Sequence, residues 1–398
     1  MAVITALESL SIDLYLPAFT HIAHTFHTTI GNVQISLSLF LAGFAIGQLF
    51  WGPLSDRYGR KPILLIGLAI FVLSALAVPF VKFIEMLWSL RFLQAFGGCA
   101  GIVMSRAIVA DAFEKKEAIS IFSSQTQISG IAPIIGPLLG SMLLGLWGWH
   151  SIFTAISVLA GLCIMAVAFF IPESHTPDSN ASKSETPSLT KTTFSNEQFL
   201  IYTMVGAMSY SALMIYISSA PYVFMEKAGL SEIHFSLAFG FNSLALIFAS
   251  YITPKLLAYF KPKALVLWAS VALTLSCIAF GIIVLIGSNA LLMIAFLFLS
   301  LIPIGILLPV TTALGMETVT AGKGTAAAFM GFIQLLVSFA LSGLSGILQN
   351  SSVIPMTGLR FFAGVLAILF AYWGLSKVKK GSMDAIKNLS YKPVELES

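Results

Sequence analysis

The stretch Gly52-Pro-Leu-Ser-Asp-Arg-Tyr-Gly-Arg-Lys-Pro62 separates two apolar runs, each long enough to cross a lipid bilayer. Gly52 and Pro53 are predicted to end the first helix. Gly59 permits a backbone conformation that a side chain would oppose, and Pro62 suits the first turn of the next helix. The stretch therefore predicts a hairpin of two membrane helices joined by a short turn.

The charges of this turn predict its orientation. Arg57, Arg60 and Lys61 place three cations beside one acid, Asp56. Cytoplasmic loops of membrane proteins are enriched in Lys and Arg. The turn is therefore predicted to face the cytoplasm.

The composition indicates an integral membrane protein. Of 398 residues, 58% are hydrophobic and 10% are charged, whereas about 25% of a soluble domain is charged. The net charge of +4 gives no basis for nucleic-acid binding. Three cysteines scattered in apolar runs argue against a disulfide framework and against a Cys-based metal site. The first apolar run is interrupted by Glu8 and Asp13, so it is expected to be a retained helix and not a signal peptide.

Runs of about 20 apolar residues predict twelve membrane-spanning helices, and hence an all-α integral membrane fold. They lie near residues 3–25, 33–52, 62–81, 84–109, 119–144, 151–171, 198–224, 233–252, 263–286, 289–313, 324–347 and 355–376. A segment rich in Pro, Ser and Thr divides them six and six. The predicted domains are an N-terminal six-helix bundle at 1–171, a cytoplasmic linker at 172–197, a C-terminal six-helix bundle at 198–376 and a cytoplasmic tail at 377–398.

The distribution of Lys and Arg agrees with this topology. Sixteen of the 21 fall on segments predicted to be cytoplasmic, and only Lys82, Lys227 and Arg360 are assigned to the outside. Arg91 and Arg106 lie within the fourth span. The expected location is a bacterial-type inner membrane, with several crossings and both termini in the cytoplasm.

The pattern G-x-L-x-D-R-x-G-R-K-P at 52–62 closely resembles the signature between helices 2 and 3 of the major facilitator superfamily of secondary transporters. A generic basic loop explains the charges but not the spaced glycines and the single acid. The resemblance implies a conformational latch, in which Asp56 lies against the start of helix 11 near residues 322–324. Arg106 and Asp111 are expected to anchor the cytoplasmic end of helix 4 to this turn. The latch residues are then Gly52, Asp56, Arg57, Gly59, Arg60, Lys61, Arg106 and Asp111.

Two carboxylates, Glu8 and Asp13, lie at membrane depth in the first span, where each charge costs at least about 2.5 kcal/mol. The run Asp-Leu-Tyr-Leu-Pro-Ala at 13–18 resembles helix 1 of the drug:proton antiporters of the bicyclomycin and chloramphenicol resistance type. That resemblance implies that Asp13 faces the central cavity beside Tyr15 and couples protons to substrate. An acid paired only to hold helices together is the alternative. Glu8 lies about 140° around the helix from Asp13 and is the weaker candidate.

The fourth span carries Arg91 and Gln94 on one helical stripe with Gly98 and Gly101. This stripe resembles the helix-4 motif of the superfamily. An Arg there is permanently charged and is expected to need an acid as its partner. It is therefore expected to act on the protonation of a cavity carboxylate.

The fifth span carries a run of small and kinking residues that resembles the motif of exporters working by antiport. Its members are Gly130, Pro133, Gly136, Pro137 and Gly140. Small residues allow close helix packing, and proline removes a backbone hydrogen bond. The motif favours export over import.

Two further groups of residues are weaker candidates. Residues of the seventh span are expected either to line an adaptable pocket or merely to pack, namely Tyr202, Met204, Met208, Tyr210, Met214, Tyr216 and Tyr222. His21, His24 and His27 have helical spacing. A metal site is not expected there, because no acid or Cys lies nearby in the sequence.

These observations predict a monomeric twelve-helix exporter that exchanges inward-moving protons for a small organic compound, an apolar or amphiphilic drug or metabolite, without a cofactor. A proton-coupled importer or exporter of a specific metabolite or siderophore has the same fold and stays open as the alternative. A membrane-embedded enzyme would need a paired His motif or a Gly-x-Ser-x-Gly elbow, and the sequence has neither. The sequence does not separate H⁺ from Na⁺, although a single carboxylate near an Arg suits protons better.

Overall fold

The structure is a computed structural model that describes residues 2–112, 115–173, 196–286, 289–319, 323–349 and 352–389. Side chains are described in these ranges apart from positions 2, 110–120, 122–130, 323–324 and 377–389. Long helices account for nearly all of this part of the chain.

Twelve long helices follow one another along the described ranges. They are α1 (Ala2–Asp13, Leu16–Ala18 and Phe19–Thr25), α2 (Ile30–Tyr58), α3 (Arg60–Ala77), α4 (Ile84–Ala112), α5 (Lys115–Trp147), α6 (His150–Phe170), α7 (Glu197–Pro221, continued by Tyr222–Lys227), α8 (Glu232–Tyr259), α9 (Pro262–Ile286), α10 (Ala290–Glu317), α11 (Lys323–Ile347) and α12 (Ile354–Leu389). Eleven contain segments that are long and apolar enough to cross a membrane, and α5 contributes a shorter apolar part at Ile131–Trp147. The predicted all-helical membrane fold is confirmed.

The helices pack as two groups of six. In the first group α4 contacts α2 and α3, α3 contacts α6, and α1 contacts α5. In the second group α7 contacts α10, α11 and α12, α9 contacts α10 and α12, and α8 contacts α10. The groups meet mainly where α2 packs on α11 and α5 packs on α8. The linker predicted at 172–197 stays a prediction, because residues 174–195 are outside the described ranges.

The turn between α2 and α3 is shorter than predicted. Gly52 and Pro53 do not end the helix, which continues to Tyr58. Gly59 alone reverses the chain, with φ 94° and ψ 157°, and its N–H donates to Ser55 O at 3.0 Å. This conformation is almost restricted to glycine, so the predicted role of Gly59 is confirmed. The predicted place of Pro62 in the first turn of α3 is also confirmed.

Helix α1 is broken, although a continuous helix was predicted over 3–25. Its first part ends at Asp13, and a single 3₁₀ turn at Leu16–Ala18 follows. Pro17 has no N–H to donate to Asp13 O. The N–H of Tyr15 donates to Ile12 O at 3.3 Å and not to Ser11 O, its usual acceptor in an α-helix. The break therefore places Asp13 at the carboxyl end of a half-helix inside the membrane.

Candidate functional site

Asp13 lies where α5 packs directly on the break in α1. Its side chain is 3% exposed. A Cβ atom on Gly136 would lie 2.6 Å from Asp13 Cβ, and one on Gly140 would collide with the backbone of Leu14. The two glycines thus permit a contact that any side chain would prevent. The proton-coupling candidate and the antiport motif, which the sequence presents separately, form one site.

Pro137 of the α5 motif contacts the second bundle. The Ser236 hydroxyl of α8 donates to Pro137 O at 2.8 Å. Pro133 is half-buried. The surroundings of Gly130 lie outside the described side chains. The motif therefore touches the Asp13 break on one side and α8 on the other.

Asp13 has no hydrogen bond or ion pair among the described residues. Glu8 lies within electrostatic range of it. So do the hydroxyl groups of Tyr210 and Tyr216 on α7, across the boundary between the bundles. An unpaired carboxylate in such a place can change its protonation when its surroundings change.

Glu8 has a different partner. It is half-buried, and the exposed cation Arg106 of α4 lies within electrostatic range of it. Arg106 is predicted to anchor helix 4 to the turn at 52–62, and this stays a prediction; the structure places Arg106 within electrostatic range of Glu8. Asp111, its predicted companion, has a side chain outside the described set. The two membrane acids therefore have unlike surroundings.

Arg91 is fully buried and does not pair with an acid among the described side chains, which corrects the expectation drawn from its charge. Its Nη1 donates to Gln94 Oε1 at 2.7 Å, and its Nη2 donates to Ser11 O at 2.9 Å. No carboxylate lies within ion-pair distance of it among the described side chains. The Ser11 carbonyl is available because the break in α1 removes its usual partner, the N–H of Tyr15. Arg91 therefore caps the first half of α1.

Aromatic rings compensate the charge of Arg91. Its guanidinium carbon lies 4.3 Å from the ring centre of Phe40, 4.7 Å from that of Tyr15 and 5.7 Å from that of Phe153. Aromatic faces attract cations at such distances. The Tyr15 hydroxyl in turn lies 2.8 Å from Ser36 Oγ. Tyr15 thus joins α1 to both the cation and α2.

The turn between α2 and α3 contains an acid that the sequence did not indicate. Glu173, just after α6, accepts the backbone N–H of Arg60 at 2.9 Å and that of Lys61 at 3.1 Å. A carboxylate is favourable at this end of α3, because the amino end of a helix is positive. Lys61 Nζ donates to Ala168 O at 2.9 Å. The turn is therefore fixed to α6 within the first bundle.

Asp56 pairs with Arg60, with 2.6 Å between Oδ1 and Nη1, and 64% of its side chain is exposed. Arg57 lies over the ring of Tyr58. Asp56 is expected to latch near residues 322–324, where residue 322 and the side chains of 323 and 324 lie outside the described set. The latch stays a prediction.

Direct hydrogen bonds between the bundles, as far as the described side chains show, all lie in the half of the molecule nearer His21. His21 Nε2 lies 3.0 Å from Glu232 Oε1. Gln34 donates to Ser218 Oγ at 2.9 Å and to Ser219 Oγ at 3.1 Å. We call this half the His21 end and the opposite half the Gly59 end. The bundles are closed together at the His21 end.

Glycines complete this closure. A Cβ on Gly31 of α2 would collide with Gly346 O of α11, and a Cβ on Gly346 would lie 2.9 Å from Gly31 O. A cavity of about 650 Å³ lies beside this contact and is lined by His24, His27 and Glu226 among others. The described residues contain no group of three His, Cys, Asp or Glu that could hold a metal ion.

Sequence reasoning misplaced one buried cation and missed one contact between the bundles. Arg360, assigned to an outer loop, lies fully buried inside α12. Its position within the predicted span 355–376 was the available signal. Glu232 is far from the histidines in sequence, so only folding reveals that it meets His21.

Comparisons with known proteins agree with this architecture. The family model described as Major Facilitator Superfamily matches residues 1–343. The "Uncharacterized MFS-type transporter YdgK" of Bacillus subtilis (strain 168) is 33% identical over 96% of this chain and 95% of its own. The "Bicyclomycin resistance protein homolog" of Haemophilus influenzae is 30% identical over 64% of this chain and 65% of its own. "Multidrug resistance protein MdtL" of Escherichia coli O9:H4 is 27% identical over 65% and 66%.

Solved structures share the fold at low identity. A D-xylose-proton symporter superimposes with a TM-score of 0.76 at 16% identity, over 94% of this chain and 96% of its own. A bacterial homologue of the human lysosomal transporter Spinster, in an inward-facing and unoccupied conformation, gives 0.73 at 13% identity, over 94% and 93%. At these identities the likeness concerns the fold alone.

Proposed function

The chain belongs to the major facilitator superfamily, and from that premise we propose that it exports small organic compounds from the cell in exchange for protons. It is a multi-pass membrane transporter and not an enzyme. The proposal adds the direction of transport, the coupling ion and the residues that carry the exchange. Relatives named for bicyclomycin and multidrug resistance make drugs the first compounds to test.

The observation that carries the proposal is the position of Asp13. It is a buried carboxylate without an ion-pair partner among the described residues, at a helix break, packed on the glycines of α5. A group of this kind can bind a proton in one conformation and release it in another, because its stability as a charged group depends on water and on nearby cations. The break gives it a place to respond, since the two halves of α1 can tilt separately.

The two ends of the molecule have different roles in this proposal. The charged turn at Gly59 faces the cytoplasm, as do both termini, and the His21 end faces outward. The described bundle contacts then correspond to a state closed to the outside. Substrate enters from the cytoplasm, the bundles rock, and the outer contacts at Gly31 and Gly346 separate to release it.

Within this cycle each group of site residues has its own task. Asp13 exchanges the proton, Glu8 assists at the same cavity, and Arg91 and Gln94 hold the broken helix in position beneath Tyr15. The α5 motif lets α1 move against the second bundle. Asp56 and its turn bias the balance between the two states. Because one chain carries both bundles, the transporter works as a monomer. Its place is a bacterial inner membrane.

The test is transport into inverted membrane vesicles with an imposed pH gradient, acid inside. Bicyclomycin, chloramphenicol and a panel of acidic and basic aromatic compounds serve as candidate substrates. We expect accumulation that depends on the gradient and that collapses when a protonophore dissipates it. A sodium gradient in place of the proton gradient is the control for the coupling ion.

Import is the competing function, and the same vesicles decide it. An importer would take up compound in right-side-out vesicles with acid outside and would show no gradient-driven uptake in inverted ones. That result would overturn the proposed direction while leaving the role of Asp13 to be tested separately.

A further inference from the structure

Arg360 is a buried cation that the proposed cycle does not use. It lies in α12, and its side chain is 0% exposed. Its Nη2 donates to Ser300 Oγ of α10 at 2.8 Å. Its Nε and Nη1 have no hydrogen-bond partner among the described residues. A buried guanidinium with two unpaired donor nitrogens is strongly unfavourable unless another group binds to them.

Arg91 shows how the same protein compensates a buried guanidinium. Arg91 also leaves Nε unpaired, but it has two hydrogen bonds and three aromatic rings around it. In the described part of the structure, Arg360 has one hydrogen bond and one nearby ring, that of Tyr216, at 5.9 Å. Within the described part of the chain no carboxylate pairs with Arg360. Its charge thus lacks the compensation that Arg91 receives.

The neighbours of Arg360 favour a negative ligand. The Tyr216 hydroxyl accepts a hydrogen bond from Asn242 Nδ2 at 3.2 Å, so its own hydrogen remains to be donated. The Cys277 thiol of α9 lies within electrostatic range of the guanidinium. Helices α7, α9 and α10 therefore surround Arg360 with groups that carry no formal negative charge at neutral pH.

We propose that Arg360 anchors an anion-binding site inside the C-terminal bundle. The group that binds is a compact anionic group, since the guanidinium is closed to solvent in this conformation. Two sources share this chemistry: an inorganic anion such as chloride, or the carboxylate of a transported compound. The second source rests on the proposed function. Tyr216 lies within electrostatic range of both Arg360 and Asp13, so the anion would also influence the exchange site.

The experiment measures thermal unfolding of the purified full-length protein in detergent at constant ionic strength. The reference anion is the bulky morpholinoethanesulfonate, and chloride or benzoate replaces it stepwise, with benzamide as the neutral analogue of benzoate. Binding to the folded state raises Tm in proportion to the logarithm of ligand concentration above Kd. We expect a rise of several degrees that grows with the logarithm of concentration for at least one of the two anions, and none with benzamide.

Three variants locate the site. Arg360→Gln is expected to weaken the anion effect at least about tenfold, whereas Lys82→Gln, which removes an exposed cation, is expected to retain it. Arg360→Gln leaves Ser300 and Tyr216 without their neighbour, which lowers the stability of the fold. Ser300→Asp then serves instead, because it supplies an internal carboxylate next to Nη2. It is expected to fold and to lose the anion effect.

The outcomes separate the two sources and the two proposals. A Tm shift with benzoate alone assigns the site to a carboxylate of the substrate. A Tm shift with chloride that is not larger with benzoate assigns the site to an inorganic anion. Equal Tm values in all three anions, or anion effects in Arg360→Gln or Ser300→Asp that match the wild type, overturn the site. The thermal-unfolding assay uses no ion gradient. The anion-dependent Tm shift is therefore independent of whether the vesicle assay detects proton-coupled export.

Discussion

Single side chains explain why two buried charges in one bundle have different uses. Arg91 is held by Gln94, by the Ser11 carbonyl and by aromatic faces, so its charge is compensated without an acid. Asp13 has no comparable partner among the described residues. A fully compensated group has little reason to change its state, whereas an uncompensated one responds to water and to ligands. Asp13 is therefore the better candidate for exchange.

We predict that Asp13→Asn abolishes proton-coupled export while leaving the protein folded. Asn has nearly the same volume but cannot bind or release a proton at neutral pH. Asp13→Glu is expected to retain part of the activity, reduced because Gly136 leaves little room for a longer side chain. The measurement is substrate-induced proton release from detergent-solubilised protein.

Glu8→Gln is the matched control for Asp13→Asn, because Glu8 lies in the same half-helix but near Arg106. Proton release that persists in Asp13→Asn and vanishes in Glu8→Gln would transfer the exchange role to Glu8. Release unchanged in both variants would exclude α1 as the coupling element.

We predict that Gly59→Ala destabilises the protein by about 1–3 kcal/mol, the usual cost of a side chain in this backbone region. Gly59 has φ 94° and ψ 157°, and a Cβ would also lie 2.8 Å from Glu173 Oε2. Gly145→Ala in α5, where nothing lies within 4 Å, is the control. Thermal unfolding midpoints of the two variants should differ clearly, and equal midpoints would contradict the required geometry.

At the level of helices, the sequence predicted number and order well but not discontinuities. Apolar length is a property of each segment, so the twelve helices could be counted. The end of α2 was misplaced because Pro53 is tolerated within a membrane helix when Gly59 provides the real stop. The break in α1 depends on Pro17 together with the partners that Arg91 and α5 supply. Those partners come from distant parts of the chain.

The same reasoning explains what could be predicted of the site. Asp13, Arg91 and the α5 glycines were recognisable individually, because charge and small residues are rare or patterned in membrane helices. Their contacts were not, since a single sequence carries no information on which helices are neighbours. Arg360 was assigned to an outer loop because the count of Lys and Arg on each side considered only its charge. Its burial depends on α7 and α10, which pack around it.

We predict that Gly346→Val prevents the close approach of α2 and α11 and shifts the protein toward its outward-open state. A Cβ at this position would lie 2.9 Å from Gly31 O, and overpacking of such contacts costs about 1–3 kcal/mol. The reporter is Ser38→Cys in a background without the native cysteines, labelled from outside with an impermeant maleimide. Labelling should accelerate.

Gly358→Val on α12 is the control for this substitution, because nothing lies within 4 Å of a Cβ there. It is expected to leave labelling of Ser38→Cys at the parental rate. Equal labelling in the Gly346 and Gly358 variants would mean that the glycine contact does not set the closure.

The two bundles together form a molecule whose described contacts are unequal at its two ends. The His21 end carries hydrogen bonds between bundles through Gln34 and through Ser38, which lies 2.9 Å from Ser342. At the Gly59 end, Asp56 is largely exposed and pairs within its own bundle. Transport by rocking requires that such contacts be exchanged for others at the opposite end.

We predict that labelling places Arg57, Glu185 and Ala385 in the cytoplasm and Gly148 and Gly229 outside, each replaced singly by cysteine. The excess of Lys and Arg on one set of segments is the physical reason. The burial of Arg360 removes one of the three cations that disagreed. The measurement is protection from an impermeant maleimide in intact cells. Finding positions 57 and 229 on the same side would exclude this topology.

We predict that weakening the contacts at the two ends shifts the state of the transporter in opposite directions. Glu232→Ala removes the contact with His21, which joins the bundles at the His21 end. Exposed pairs of this kind contribute about 0.2–1 kcal/mol, so the outward-open population should rise up to about fivefold. Asp56→Asn removes the proposed latch at the helix dipole of α11, which contributes about 0.3–1 kcal/mol in the other state. The outward-open population should fall by a similar factor.

Distances between paired spin labels, one pair at the His21 end and one at the Gly59 end, measure these populations in the purified protein. Because the two substitutions lie at opposite ends and share no partner, their effects should add within about 0.5 kcal/mol in the double variant. The double variant should thus return toward the parental distribution. Shifts of the same sign in the two single variants would contradict the rocking model, because contacts that close opposite ends of one cavity must favour opposite states.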